Sequence, residues 1–298
     1  MDLENSVDIF CSNGKSLFKD AVNVNWSKDF CMKQHPKLHK LIEETWTQKS
    51  EKCKNLFNAS KFRLHKVELH KSSDGNIPAV TLHLGSTSYK EFIGTNCATY
   101  AAELVRDGID NFSNSQAYLA DPLGVGSIIE TTDENLIFMR RSLNLAEMQG
   151  MIDRPGGHPE PDEVEKSTGH ELCDKDAAFI TAELFDSVLK EVRDEINIPL
   201  EKLSQPTLLG ISYNPYTWKR PSAEFYVKCY LSAAEVHNLY KQQTQAESEE
   251  STELIIIPLS DVLKMDFLQK SNFYKELTPA AQSALYLFNI FHSKAAFF

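Results

Sequence analysis

Residues 154–161 read RPGGHPEP and residues 184–197 read LFDSVLKEVRDEIN. The second stretch is the clearest helix in the chain. Phe185, Val188, Leu189, Val192 and Ile196 fall at i, i+3, i+4, i+7 and i+11, which makes one apolar stripe. Pro199 ends it. A second face carries Glu183, Ser187, Glu191 and Glu195 in one i, i+4 row, so only the last two turns are consistently acidic. Like charges at that spacing repel by about 0.2–0.5 kcal/mol per pair. They also sit at the helix C-terminus, where the helix dipole disfavours negative charge. A hard divalent cation turns that cost into binding, because Mg²⁺ is held by one or two carboxylates plus phosphate oxygens. A solvated acidic face has the same spacing, and the helix alone leaves both readings open.

Outward from this helix the chain alternates in an uneven order. Upstream, GVGSIIETTD and NLIFMRRS predict two strands around a TDEN turn, followed by a long loop over residues 152–176. Downstream, PTLLGISY and SAEFYVKCYL predict two more strands, and Ser232 with Glu235 predicts a capping box. QQTQAESEESTE (242–253) is polar and acidic and is expected to be a mobile, solvated loop. LIIIPL predicts a buried strand. Thr278-Pro279 predicts a helix start, and the helix after it buries Ala284, Leu285, Leu287, Phe288 and Phe291.

The first third mixes a helix over 36–49, a hairpin of FRLHKVEL and AVTLHL, a capped helix start at Ser88 and Glu91, and a helix in CATYAAELVRDG stopped by Gly108. The fold class is therefore α/β (α+β), with a mixed sheet rather than strict βαβ alternation.

The composition narrows the function. The 298 residues hold 31 Lys+Arg against 42 Asp+Glu, a net charge of −11. That excess excludes a general nucleic-acid binder and argues against an anionic membrane as partner. With 42% hydrophobic residues the chain is globular, as one large domain or two ordinary ones. No run approaches the roughly 18 apolar residues of a membrane span. The N-terminus lacks the basic and apolar segments of a secretory signal. Cys11, Cys31, Cys53, Cys97, Cys173 and Cys229 are scattered without a CxxC pair, as expected of reduced thiols. We expect an intracellular protein, cytoplasmic and/or nuclear.

The two opening stretches together resemble the Nudix box, whose pattern is Gly, five residues, Glu, seven residues, then Arg-Glu-apolar-x-Glu-Glu-x-Gly-apolar. Gly156-Gly157 supply the glycine turn and Glu160 the acid just after it. Glu191, Val192, Asp194, Glu195 and Ile198 fill the second half. The departures are Lys190 in place of Arg, which removes a bidentate clamp on a carboxylate, Asn197 in place of Gly, and Glu183 one residue off the middle acid. Gly157 and Lys190 stand 33 positions apart where the pattern has 14, so 19 residues are inserted. FNASKFRLH, LGSTSYKEFIGTN, QAYLADPLGVG, FMRRS, LSQPTLLGI and SAEFYVKC extend the resemblance across nearly the whole chain, to the divergent Nudix enzymes that cleave UDP-glucose and UDP-galactose. The resemblance implies a Nudix α/β/α sandwich (116–298) with an added N-terminal α/β region (1–115) contributing the nucleoside pocket. It also implies Mg²⁺-dependent hydrolysis of a UDP-sugar to UMP and a sugar 1-phosphate, with Mn²⁺ able to substitute.

By the same resemblance, Glu191 and Glu195 are the expected metal ligands and catalytic acids, with Asp194 in reserve. One of the two, or Glu160, takes the proton of the attacking water. Arg141 is expected to grip a phosphate. Adjacent strand residues face opposite sides, so its neighbour Arg140 points away. Asp153, His158 and Glu160 are expected at the substrate, and Ala146 through its backbone at most. Phe57 is expected to stack on uracil and Tyr89 to hydrogen-bond the nucleotide, against the plain alternative that both are core. The expected partner is the UDP-sugar, with no nucleic acid, no membrane and no obligate protein partner. Two alternatives remain: hydrolysis of another nucleoside diphosphate derivative, or, given Lys190 and Asn197, a catalytically silent nucleotide-sugar module.

Overall fold

The computed structural model describes residues 6–11, 15–51, 57–71, 73, 77, 79–145, 147–264 and 271–295. In chain order its main elements are β1 (Val7–Ile9), β2 (Val22–Trp26), α1 (Leu38–Ser50), β3 (Ser60–His70), β4 (Ala79–Ser88), α2 (Tyr89–Gly94) and α3 (Ala101–Phe112). There follow β5 (Gly124–Glu130), β6 (Asn135–Arg141), β7 (Ile152–Asp153), β8 (Gly156–Gly157), α4 (Pro161–Thr168) and α5 (Ala177–Ile196). The chain ends with β9 (Thr207–Asn214), β10 (Arg220–Lys228), α6 (Ala233–Tyr240), β11 (Ser251–Pro258) and a C-terminal helix, Pro279–Ala295.

The large sheet has the order β1-β9-β10-β5-β6-β11, with β7 paired to β6 and β8 to β5. β10 runs parallel to β5 and antiparallel to β9, so the sheet is mixed. Both faces are buried, which explains its nearly continuous apolar strands. Ile128, Leu136, Phe138 and Leu209 pack with Leu285 and Phe288 of the C-terminal helix. Their neighbours Ile129, Ile137 and Leu208 face the other way, onto Leu184, Val188 and Val192 of α5. These layers form an α/β/α sandwich. A three-stranded sheet, β2-β4-β3, adds Val24, Leu64 and Leu82 to the α5 cluster. β1 leaves the first third of the chain and pairs with β9 at the edge of the large sheet.

Several expectations need correction. α3 does not stop at Gly108 but runs on to Phe112, capped by Ser113 at φ 51°. Gly108 is small for packing, since a Cβ there would lie 2.6 Å from the carbonyl oxygen of Asn114. β3 breaks its alternation at Arg63, which is buried and donates to the carbonyls of Phe30, Gln116 and Leu119. The 152–176 loop contains β7, β8 and α4, with Pro161 in the first turn and Gly169 at φ 76° as cap. The inserted residues are thus ordered, and α5 begins at Ala177. LIIIPL is a strand but only half-buried, because β11 ends the strand order and pairs with β6 alone. Residues 242–250 are not a free solvated loop. Glu247 N donates to Asp194 O at 2.8 Å, and Asn197 Nδ2 donates to Thr244 Oγ1 at 2.8 Å.

Candidate active site

The last turns of α5 carry Glu191 and Glu195 against β8. β8 pairs with β5 through Val125↔Gly157 and Gly126↔Gly156, which brings the glycine turn to the helix. Gly156 N donates to Glu195 Oε2 at 2.9 Å. Gly157 must lack a side chain, because a Cβ there would overlap the Glu191 carboxylate. A third carboxylate arrives from the 242–250 segment. Glu191, Glu195 and Glu247 each present one oxygen, all within 4.8 Å of one another. Burial, then Glu247, Glu250 and Asp194, push the Glu191 carboxyl up to about 8. Burial, then Glu191, hold Glu195 well above the ordinary carboxylate range. Three half-buried to buried oxygen donors that repel one another fit a hard divalent cation.

Two of the departures from the box have local substitutes. Lys190 pairs end-on with Glu183 at 3.1 Å. Asn197 takes the left-handed position at φ 72° that ends α5. Asp194, the reserve ligand, has both carboxylate oxygens 2.7 Å from Arg193 and stands outside the three-carboxylate cluster.

Glu191 and Glu247 border a cavity of about 470 Å³, with Glu195 buried behind them, and the cavity is also lined by Phe57, Tyr89, Arg141, Asp153, His158 and Glu160. Arg141 Nη1 donates to Asp153 Oδ2 at 3.3 Å and its Nε to the carbonyl of Glu147 at 3.3 Å. Arg140 turns the other way, to Glu253 and Glu276. Asp153 is buried, and it also accepts from Thr278 Oγ1 at 2.8 Å and faces Arg154. Burial, with Arg220, Lys61 and Arg154 adding to it, holds His158 well below its usual range, so the ring is neutral near pH 7. Glu160 accepts from Lys61 Nζ at 2.5 Å. Phe57 stands at the cavity 74% exposed and is not core. Tyr89 is half-buried beside Phe92 and Trp46. Ala146 lies outside the described residues.

Among the residues on this wall that sequence reasoning missed are Lys61, Arg154, Arg220 and Glu247. Arg154 is buried and bidentate to Glu224, at 3.0 and 3.0 Å. Burial opposes its charge, but Glu224 and Asp153 outweigh that and raise its pKa. The signal for this pair was present, since Glu224 is a lone acid inside an apolar strand and a buried acid needs a partner. Gly126 makes room for the guanidinium.

An α/β/α sandwich that sets helix carboxylates against a glycine turn, with cations across the same cavity, is built for metal-assisted cleavage of a phosphate anhydride. No family model matches the chain. It is 40% identical over 289 residues to the uridine diphosphate glucose pyrophosphatase NUDT22 of Mus musculus, covering 97% of this chain and 92% of that one. The Homo sapiens protein of the same name is 38% identical over 97% of this chain and 93% of its own. Nudix hydrolase 9 of Arabidopsis thaliana is 35% identical over 86% of this chain and 83% of its own. Among solved structures, a Nudix hydrolase from Alicyclobacillus acidocaldarius overlies 55% of this chain and 89% of its own, at 13% identity and a TM-score of 0.37. The chain belongs to the Nudix hydrolases, in the family of the uridine diphosphate glucose pyrophosphatases. Nudix hydrolases generally use divalent metal ions. Among the described residues no helix is long and apolar enough to cross a membrane.

Proposed function

We propose that this protein hydrolyses the pyrophosphate of UDP-glucose and UDP-galactose to UMP and the sugar 1-phosphate, using Mg²⁺ or, in its place, Mn²⁺. One observation carries the reading. A single cavity joins Glu191 and Glu247 of the three-carboxylate cluster to Arg141 and to the exposed ring of Phe57, in a chain 40% identical to an enzyme named for UDP-glucose.

Glu191 and Glu195 hold the cation, and Glu247 is placed to join them. The chemistry that a divalent ion would supply there is charge to polarise a phosphoryl oxygen and to acidify the attacking water. Arg141 draws a phosphate toward the carboxylates. Water oxygen attacks phosphorus, the P–O–P bond breaks, and one carboxylate of the site, Glu191, Glu195 or Glu160, accepts the proton. Neutral His158 donates to or accepts from the bound sugar nucleotide without adding charge. Asp153 supports the substrate indirectly, since its oxygens already serve Arg141, Arg154 and Thr278. Phe57 stacks on uracil and Tyr89 bonds the nucleotide, so residues 1–115 contribute the nucleoside half of the site to the 116–298 catalytic region.

The test is incubation with Mg²⁺ and a panel of nucleoside diphosphate sugars, ADP-ribose and a coenzyme A derivative. UMP and glucose 1-phosphate are the expected products from UDP-glucose. Preferential turnover of ADP-ribose or the coenzyme A derivative selects the other hydrolase reading. Tight UDP-glucose binding without turnover of any member selects the silent module. Glu195→Gln is expected to lower kcat by about a hundredfold or more with the fold retained, because it removes a cation ligand. Phe57→Ala is expected to raise KM for UDP-glucose about tenfold, the loss of one base–aromatic stack. An unchanged KM sinks that assignment.

A further inference from the structure

Among the described residues four cations line the cavity, and they are not equally committed. Lys61 is bound to Glu160 at 2.5 Å. Arg154 is locked to Glu224 at 3.0 Å. Arg141 is held by Asp153 at 3.3 Å and by a backbone carbonyl. Arg220 has the loosest ion pair of the four: Nη1 stands 3.5 Å from Glu147 Oε2, beyond a well-formed N–H···O bond. Its guanidinium lies over the Phe92 ring, 5.3 Å from the centroid, which fixes the plane without using a donor. The side chain is 20% exposed, toward the cavity it lines.

The backbone that presents it is strained. Arg220 opens β10 directly after Trp218 and Lys219, which take φ 54° and 70°. Both are non-glycine residues in the left-handed region, where L side chains are disfavoured. The turn thus holds Arg220 in a place that local preference does not select.

Resting on the UDP-sugar reading above, we propose that Arg220 is a substrate-binding residue that grips the diphosphate, and that Glu147 occupies the anion's place until the diphosphate arrives. A guanidinium matches two phosphate oxygens bidentately, while Glu147 meets it end-on at 3.5 Å. Glu147 also touches the other phosphate-facing arginine, since its carbonyl accepts from Arg141 Nε. Arrival of a diphosphate releases the Glu147 carboxylate and leaves Arg220 seated on Phe92.

Titration calorimetry with UDP and, in parallel, with uridine tests this. Arg220→Ala is expected to weaken UDP about tenfold while changing uridine less than about twofold, since only the charge-assisted bonds are lost. Arg220→Lys recovers part of the UDP affinity, and Glu147→Gln tightens UDP. An Arg220→Ala variant that binds UDP like the wild type overturns the proposal, and so does one that loses UDP and uridine equally, the mark of a merely structural residue. A Glu147→Gln variant that does not tighten UDP overturns the stand-in role. The underlying reading fails separately, when the wild type binds UDP but does not hydrolyse UDP-glucose with Mg²⁺.

Discussion

At the residue scale, Gly157 and Glu191 are one feature. The missing side chain is what lets the carboxylate reach the turn, and burial beside other acids is what pushes Glu191 up to about 8. A carboxyl whose pKa is higher in the folded than in the unfolded chain binds its proton more tightly when native. Its contribution is therefore fully present below the ordinary carboxylate range and is lost as pH rises through the folded value. The metal-free protein is expected to lose melting temperature from about pH 5 to about pH 8 on this account. Saturating Mg²⁺ replaces the protons and flattens the slope. Thermal scans in EDTA and in Mg²⁺ read this directly; equal slopes, or an unaltered slope in metal-free Glu191→Gln, contradict it. Glu191 and Glu195 were legible because helical spacing fixes them relative to each other. Glu247 was not. It stands 52 positions beyond Glu195 in a segment with no periodicity, and only tertiary packing brings its oxygen to theirs.

At the element scale, the end of α5 shows two local preferences in competition. Glycine suits the left-handed cap better than asparagine does. Asn197, however, donates to Leu239 O at 2.9 Å and Thr244 Oγ1 at 2.8 Å, and so ties α5 to the segment bearing Glu247. Two lost hydrogen bonds, at about 0.5–1.5 kcal/mol each, outweigh a gain of a few tenths. Asn197→Gly is expected to lose about 1 kcal/mol in urea denaturation and to weaken Mg²⁺ activation. A more stable variant contradicts this balance. The strong periodicities of α5 and of the β3–β4 hairpin, the N-cap at Ser88 and the capping box at Ser232 could be seen in the sequence because each is a local rule. The α3 terminus and the order of the inserted α4 could not. Gly108 answers to a neighbouring carbonyl, and α4 is fastened from outside itself, through Ser60 to Asp162 and Lys61 to the adjoining Glu160.

At the scale of the whole molecule, a strand from the first residues completes the sheet at one edge. β1 covers the edge of β9, and Phe10 beside it is buried with 1% exposure. Phe10→Ala is expected to cost about 3–5 kcal/mol and to expose an edge that invites self-association. Urea melts and sedimentation check both, and a variant with wild-type stability refutes the role given to the N-terminal segment. Alternating apolar patterns foretold that a mixed sheet exists. They could not foretell that a strand from residues 7–9 closes one edge of it, because three residues carry no period.

Asp153 receives Arg141 from β6, Arg154 from its own turn and Thr278 from the mouth of the C-terminal helix. These partners stand at positions 141, 154 and 278, so one carboxylate ties together segments far apart in the sequence. The C-terminal helix therefore acts as a brace for the cavity: whatever loosens its first turn frees one oxygen of the carboxylate that holds Arg141 and Arg154.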